Sequence, residues 1–376
     1  MGGHPAADQP TAGAGLGLMP LVVPFWLDVD PMARLLLVNF EHDPDETYVG
    51  LEPQVFDDAV HGTGHLVIGW RQDGRVDVYH QPGLRLSPDR FDIAGKGLAN
   101  LIERQFATAT YEVDDRGVQA HYEFADFSGR TVVIRISERN PRKRKPFGLL
   151  APMGSVAETP SALPLVLLHD FYFVRRKHTA IEISIDGRQH RPDELPVPMD
   201  FARMLFTRYS PRPLIATLNP AFSGVLEPVK VDPSRGEVPA GNSTLMLDWT
   251  GGGPAIRSMT RRNEVYPIVM KFHEPFPHLG SLVDNTSITG QFEIEGHPST
   301  GRIVGTYTVE KANGQITIVV IPAPGWKPRA TKASLRCLYT VARVFRHWPA
   351  TYQWTAVLKE TKNGACSMQS EWRRIH

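Results

Sequence analysis

Leu163–Gly187 reads LPLVLLHDFYFVRRKHTAIEISIDG. Leu163 to Val174 is an apolar run interrupted by the dipeptide His169-Asp170. Thr179 to Ile185 alternates, with Ile181, Ile183 and Ile185 on one side and Ala180, Glu182 and Ser184 on the other. Period-two alternation of β-branched residues marks a half-buried strand. Arg175-Arg176-Lys177-His178 then reads as a hairpin loop, and Asp186-Gly187 as the next turn.

Loop length sets the register of such a hairpin. A two- or four-residue loop places Asp170 among the isoleucines, with Leu168 and Tyr172. A three-residue loop places His169 there instead, and Asp170 beside Glu182 and Ser184. A carboxylate among isoleucines is raised in pKa, which suits a general acid or base near neutral pH. Asp170, with His169 as its alternative, is therefore the candidate catalytic residue, and Tyr172 a candidate ligand contact. Turn capping or an arginine partner for Asp170, and a backbone hydrogen bond for His169, are the structural alternatives.

Working outward, the chain is rich in strands. GHLVIGWR (64–71) and RVDVYH (75–80) form a hairpin about Asp73-Gly74. FATATYEV (106–113), VQAHYEF (118–124) and RTVVIRIS (130–137) form a meander. SITGQFEIE (287–295), RIVGTYTVE (302–310) and QITIVVIP (315–322) form a second, with a tight turn at Asn313-Gly314. Helices are expected at 97–106 and at 201–209 with Asp200 as N-cap. The stretch 331–348 fits a helix stripe through Leu335, Leu338, Ala342, Phe345 and Trp348 or a strand through Leu335, Cys337, Tyr339 and Val341, and helix is preferred on length. Thr351 to Lys359 reads as a strand, and the tail after Lys362 as loose chain. The fold class is all-β with minor α: two antiparallel barrel or sandwich halves with a few short helices. The division is a 1–27 tail, a 28–140 half, a 141–162 crossing linker, a 163–360 half and a 361–376 tail.

Composition sets bounds. A chain of 376 residues holds ample core, and 41% hydrophobic with 22% charged residues is ordinary for a globular protein. A net charge of +1 gives no global pull toward nucleic acid, and none is expected as a partner. Cys337 and Cys366 make neither a metal motif nor a disulfide framework. No apolar stretch reaches the ~20 residues of a spanning helix, and the N-terminus is a poor signal peptide, so a cytoplasmic location is expected.

RISERNPRKRKPFGLLAPMG (Arg135–Gly154) resembles the crossing between halves in tandem lipocalin-type proteins of the hydroxyneurosporene synthase (carotenoid hydratase) group. The resemblance is one of architecture and covers most of the chain. It implies a lipocalin-like cavity for an isoprenoid-, polyketide- or lipid-like ligand, and cofactor-free chemistry.

Other candidates are few. His61 and His65 in HGTGH lack the helix and acidic partner of a metal motif, so no metal is expected. His273 and His278, in KFHEPFPHLG, stand where loops at a barrel mouth carry ligand contacts. Trp70 is a candidate pocket wall. No nucleophile elbow or phosphate loop is present. The function expected is binding of an apolar small molecule, with lyase, isomerase, cyclase or hydratase chemistry on it. A carrier without chemistry is the first alternative. A scaffold using the basic run Arg139–Lys145 is the second.

Overall fold

The computed structural model describes residues 17–30, 32–91, 95–153, 157–196, 198–199, 201–250, 252–263, 265–330, 333–341, 344–361 and 365–375. Among these residues the chain is all-β with a few short helices. Its sheets curl and form a half-barrel.

Three large sheets make the body. An N-terminal ten-stranded sheet runs from Leu27–Asp30 through Leu214–Leu218, Leu163–Arg175, Met204–Ser210, Met32–Asn39, Tyr48–Asp58, Gly62–Arg71 and Val76–His80 to Leu98–Glu103. Phe147–Ala151 pairs onto the Leu163–Arg175 strand. A five-stranded sheet holds the 108–138 meander, Thr179–Ile185 and Arg188–Gln189. A C-terminal ten-stranded sheet is built wholly from strands between Phe222 and Arg374. Met19–Leu21 pairs separately with Val229–Val231.

Alternation along each strand splits the apolar residues into two cores. Leu36, Val38, Leu51, Val67 and Tyr79 face the five-stranded sheet and pack on Tyr122, Ile134 and Ile183. Leu35, Phe56, Leu66 and Ile68 face the other way and share a core with Phe272, Tyr307 and Trp354 of the C-terminal sheet. Each such fully buried side chain contributes roughly 1.5–3 kcal/mol relative to exposure.

Both strands of the 163–187 stretch exist, but they are not a hairpin. Leu163–Arg175 pairs with Leu214–Leu218, Met204–Ser210 and Phe147–Ala151, whereas Thr179–Ile185 pairs with Thr131–Glu138. The basic link carries the chain from one sheet to the next. Periodicity identifies a strand but not its partner, and here each found a longer-range one. From Phe222 onward every described strand except Val229–Val231 belongs to the C-terminal ten-stranded sheet.

The 64–80 hairpin and both meanders are present. Asn313 and Gly314 both take positive φ, 53° and 72°, as a two-residue hairpin turn requires. Two expected helices are strands instead. Leu98–Glu103 pairs in parallel with Val76–His80, and Met204–Ser210 is interior to the N-terminal sheet. Tertiary pairing outweighs weak helical spacing in such short runs. Asp200 lies outside the described residues. Helix is found at Ala333–Val341 and Val344–His347, and the tail is a strand, Cys366–Arg374, paired on both edges.

Candidate functional site

Glu52, Gln54 and Phe56 alternate onto the half-barrel face of Tyr48–Asp58. Across the ladders they meet Ile68, Leu66 and Gly64 on one side, with Leu35 opposite Gln54 on the other. A cavity of about 360 Å³ opens on this face, bounded by Gln54, Ile68, Val166 and Ile215 and closed at its edge by Asp30, Arg90 and Phe91. Its size falls at the small end of ligand pockets, and its walls are mainly apolar.

Two charged groups stand at that edge. Arg90 comes from the short 3-10 turn Pro88–Arg90, and Asp30 from the Leu27–Asp30 strand. One guanidinium nitrogen donates to Asp30 Oδ2, and the guanidinium carbon lies 5.0 Å from the Phe56 ring centre. Burial pushes the Arg90 pKa down to about 10. Among the described residues, Asp30 Oδ1 and Arg90 Nη1 are buried with no hydrogen-bond partner. Buried polar atoms are normally paired, so these two are exceptions at the cavity edge.

Behind the wall lies Glu52, with no solvent exposure. Gln54 Nε2 donates to its Oε1 at 2.8 Å, and Trp70 Nε1 to its Oε2 at 3.0 Å. Burial raises its pKa to about 7, against the pull of those two donors and of Arg208. Arg208 reaches the same face from Met204–Ser210, where it lies opposite Leu37. It donates to Asn39 Oδ1 at 2.5 Å and to the Phe206 carbonyl at 3.0 Å. Burial lowers its pKa to about 10.

Of the candidates from sequence, Trp70 joins this cluster as a donor to Glu52. The others lie elsewhere. Asp170 does not sit among isoleucines: its Oδ1 accepts from Tyr172 Oη at 2.9 Å, and its Oδ2 lies 3.3 Å from Arg212. Ile181, Ile183 and Ile185 pair instead with Ile136, Ile134 and Val132. Tyr172 stacks on Tyr209, ring centres 5.2 Å apart, and burial raises its pKa. His169 lies at the seam with the C-terminal sheet, 5.0 Å from the Tyr266 ring and 5.1 Å from the His297 ring. Its pKa is lowered, first by burial. His273 is on the C-terminal sheet, 3.9 Å from Glu293. His278 faces the Pro20 and Gly252 carbonyls at 2.9 and 3.1 Å, tying the first strand down.

His61 and His65 do not converge: the first lies 3.3 Å from Asp58, the second 3.0 Å from Tyr122 Oη. Among the described residues no group of three His, Cys, Asp or Glu side chains is placed to hold a metal. No helix among them is long and apolar enough to cross a membrane. Glu52 and Gln54 escape a reading by periodicity because Pro53 looks like a strand breaker, although it pairs opposite Val67 inside the sheet, and Asp30 and Arg90 escape because they meet only in the folded chain. The polar pattern E-x-Q in an otherwise apolar strand was the available signal.

Comparison with protein-family models, curated proteins and solved structures finds no match to this chain.

Proposed function

We propose that the protein binds an apolar small molecule bearing one polar group, with its apolar body in the half-barrel cavity. The observation that carries this is the mainly apolar half-barrel pocket with Asp30 and Arg90 at its edge, where Oδ1 and Nη1 have no hydrogen-bond partner among the described residues. A ligand hydroxyl, carbonyl or carboxyl supplies what they lack. The resemblance to lipocalin-type hydratases, read from the sequence, points to the same ligand class.

The same pair favours a second reading, in which the bound molecule is also transformed. In that reading the Asp30 carboxylate takes a proton from the carbon beside the ligand's carbonyl, and the Arg90 guanidinium stabilises the oxyanion that develops. That suits isomerisation or elimination next to a carbonyl, chemistry within the lyase and isomerase classes. Asp30 and Arg90 replace Asp170 and His169 as the residues that touch the reacting atoms in this reading.

The test is organic extraction of the protein from its host, followed by native mass spectrometry and a thermal-shift panel of apolar acids, ketones and alcohols. A ligand at about a hundred times its Kd stabilises by about 2.7 kcal/mol. Arg90→Met reduces the shift for ligands with an oxygen function. Overturning results are no shift from any member, or a shift that survives Ile215→Trp, which fills the cavity.

A further inference from the structure

The basic run Arg139–Lys145 is not an isolated loop. The Arg139 N–H donates to the His178 carbonyl at 2.9 Å, which sets the run beside the Arg175–His178 link. The Arg176 N–H donates to the Arg203 carbonyl at 3.1 Å, and the Asn140 N–H to the Arg116 carbonyl at 2.7 Å. Four segments far apart in sequence thus bring their cations to one end of the molecule. Arg116, Arg139, Arg142, Lys143, Lys145, Arg176, Lys177 and Arg203 are all exposed. Among the described residues the exposed carboxylates beside them are Asp114, Asp115 and Glu194, so eight cations face three anions here, whereas the whole chain carries only +1. Lys143 pairs with Asp115 and Arg176 with Glu194, but Arg139, Arg142, Lys145 and Lys177 have no ion-pair partner among the described residues.

Phe201 belongs to the same end, two residues before Arg203. Met199 and Ala202 exchange two backbone hydrogen bonds of 3.0 Å, so Phe201 sits in the tip of a tight hairpin. Its φ is +61°, a left-handed conformation that favours glycine or asparagine, and its side chain is fully exposed. A phenylalanine there strains the backbone, and its ring is exposed among the described residues. Strain of this kind points to a use outside the fold.

We propose that this end docks on an anionic lipid bilayer, with the cations among the headgroups and the Phe201 ring inserted at the interface. Lysine and arginine clusters are drawn to acidic leaflets, and aromatic rings settle at headgroup depth. The basic patch supplies electrostatic attraction to the acidic leaflet, and the exposed ring beside it adds one apolar contact. The surface is less suited to single-stranded nucleic acid, which asks for several aromatic platforms along a basic groove. This inference stands apart from the cavity reading and survives its failure.

The test is co-sedimentation of the full chain with phosphatidylcholine vesicles containing or lacking phosphatidylserine. Expected is binding to the acidic vesicles alone, weakened about tenfold or more by raised salt. Arg142→Glu/Lys145→Glu/Lys177→Glu removes it. Phe201→Gly weakens it at constant salt while leaving the unfolding midpoint equal or higher, which separates anchoring from stability. Equal attachment to neutral vesicles, no attachment, or displacement from acidic vesicles by a single-stranded oligonucleotide overturns the proposal.

Discussion

Gln54 donates its side-chain amide to Glu52 across 2.8 Å, joining the wall of the cavity to a carboxyl with no solvent exposure. Both residues lie on one face of one strand, two positions apart. The amide thereby holds the buried carboxyl in place, and the carboxyl in turn orients a side chain that bounds the cavity.

Glu52 makes stability depend on pH. Burial raises its pKa from an ordinary 4.5 to about 7, so the folded state keeps a proton that the unfolded chain releases earlier. The stabilisation is complete below about 4.5 and is lost as pH rises through about 7. The loss is about 3 kcal/mol at most. Urea unfolding at pH 5 and pH 8 measures it. Glu52→Gln flattens that difference; a variant keeping the full dependence assigns it to another group.

Arg144 and Glu138 form a buried pair at 2.9 Å, and Glu138 also accepts from Asn140 Nδ2 and the Arg175 N–H. Arg144 further donates to Tyr209 Oη and the Phe173 carbonyl. Arg144→Met leaves the Glu138 charge buried and costs about 3–5 kcal/mol. Adding Glu138→Gln restores part of that loss, read as the coupling in a double-mutant cycle.

Gly148 marks the seam between the two sheet systems. A Cβ there falls 2.2 Å from the Ser299 carbonyl oxygen, while the Gly148 carbonyl accepts from Tyr339 Oη at 2.6 Å. Gly148→Ala forces the Pro298–Thr300 turn outward at a cost of about 1–3 kcal/mol. Thermal unfolding of the variant checks this, with an unchanged midpoint contradicting it.

Asp170→Asn tests where the function resides. Its partner Arg212 is largely exposed, so the pair contributes under about 1 kcal/mol. The variant unfolds within that margin of the parent and binds cavity ligands unchanged, whereas Asp30→Asn and Arg90→Met weaken them. Lost ligand binding in Asp170→Asn alone moves the site to the Asp170–Tyr172 side of the sheet.

The strands were legible because alternation is local: a residue's face follows from its neighbours two positions away. Both meanders, the 64–80 hairpin and the all-β class came from that rule and from turn residues such as Asn313-Gly314. Partners were not legible. The two strands of 163–187 parted into different sheets because each buried its apolar face better against distant chain, at Leu214–Leu218 and at Thr131–Glu138. The site followed the same division. Trp70 could be named from its residue type, but Asp30 and Arg90 lie 60 residues apart and meet only when the half-barrel closes over Phe56. Sequence by itself determined the pattern of inward and outward side chains. Tertiary structure alone decided which inward polar groups would meet, because burial and pairing are properties of the closed surface and not of any one strand.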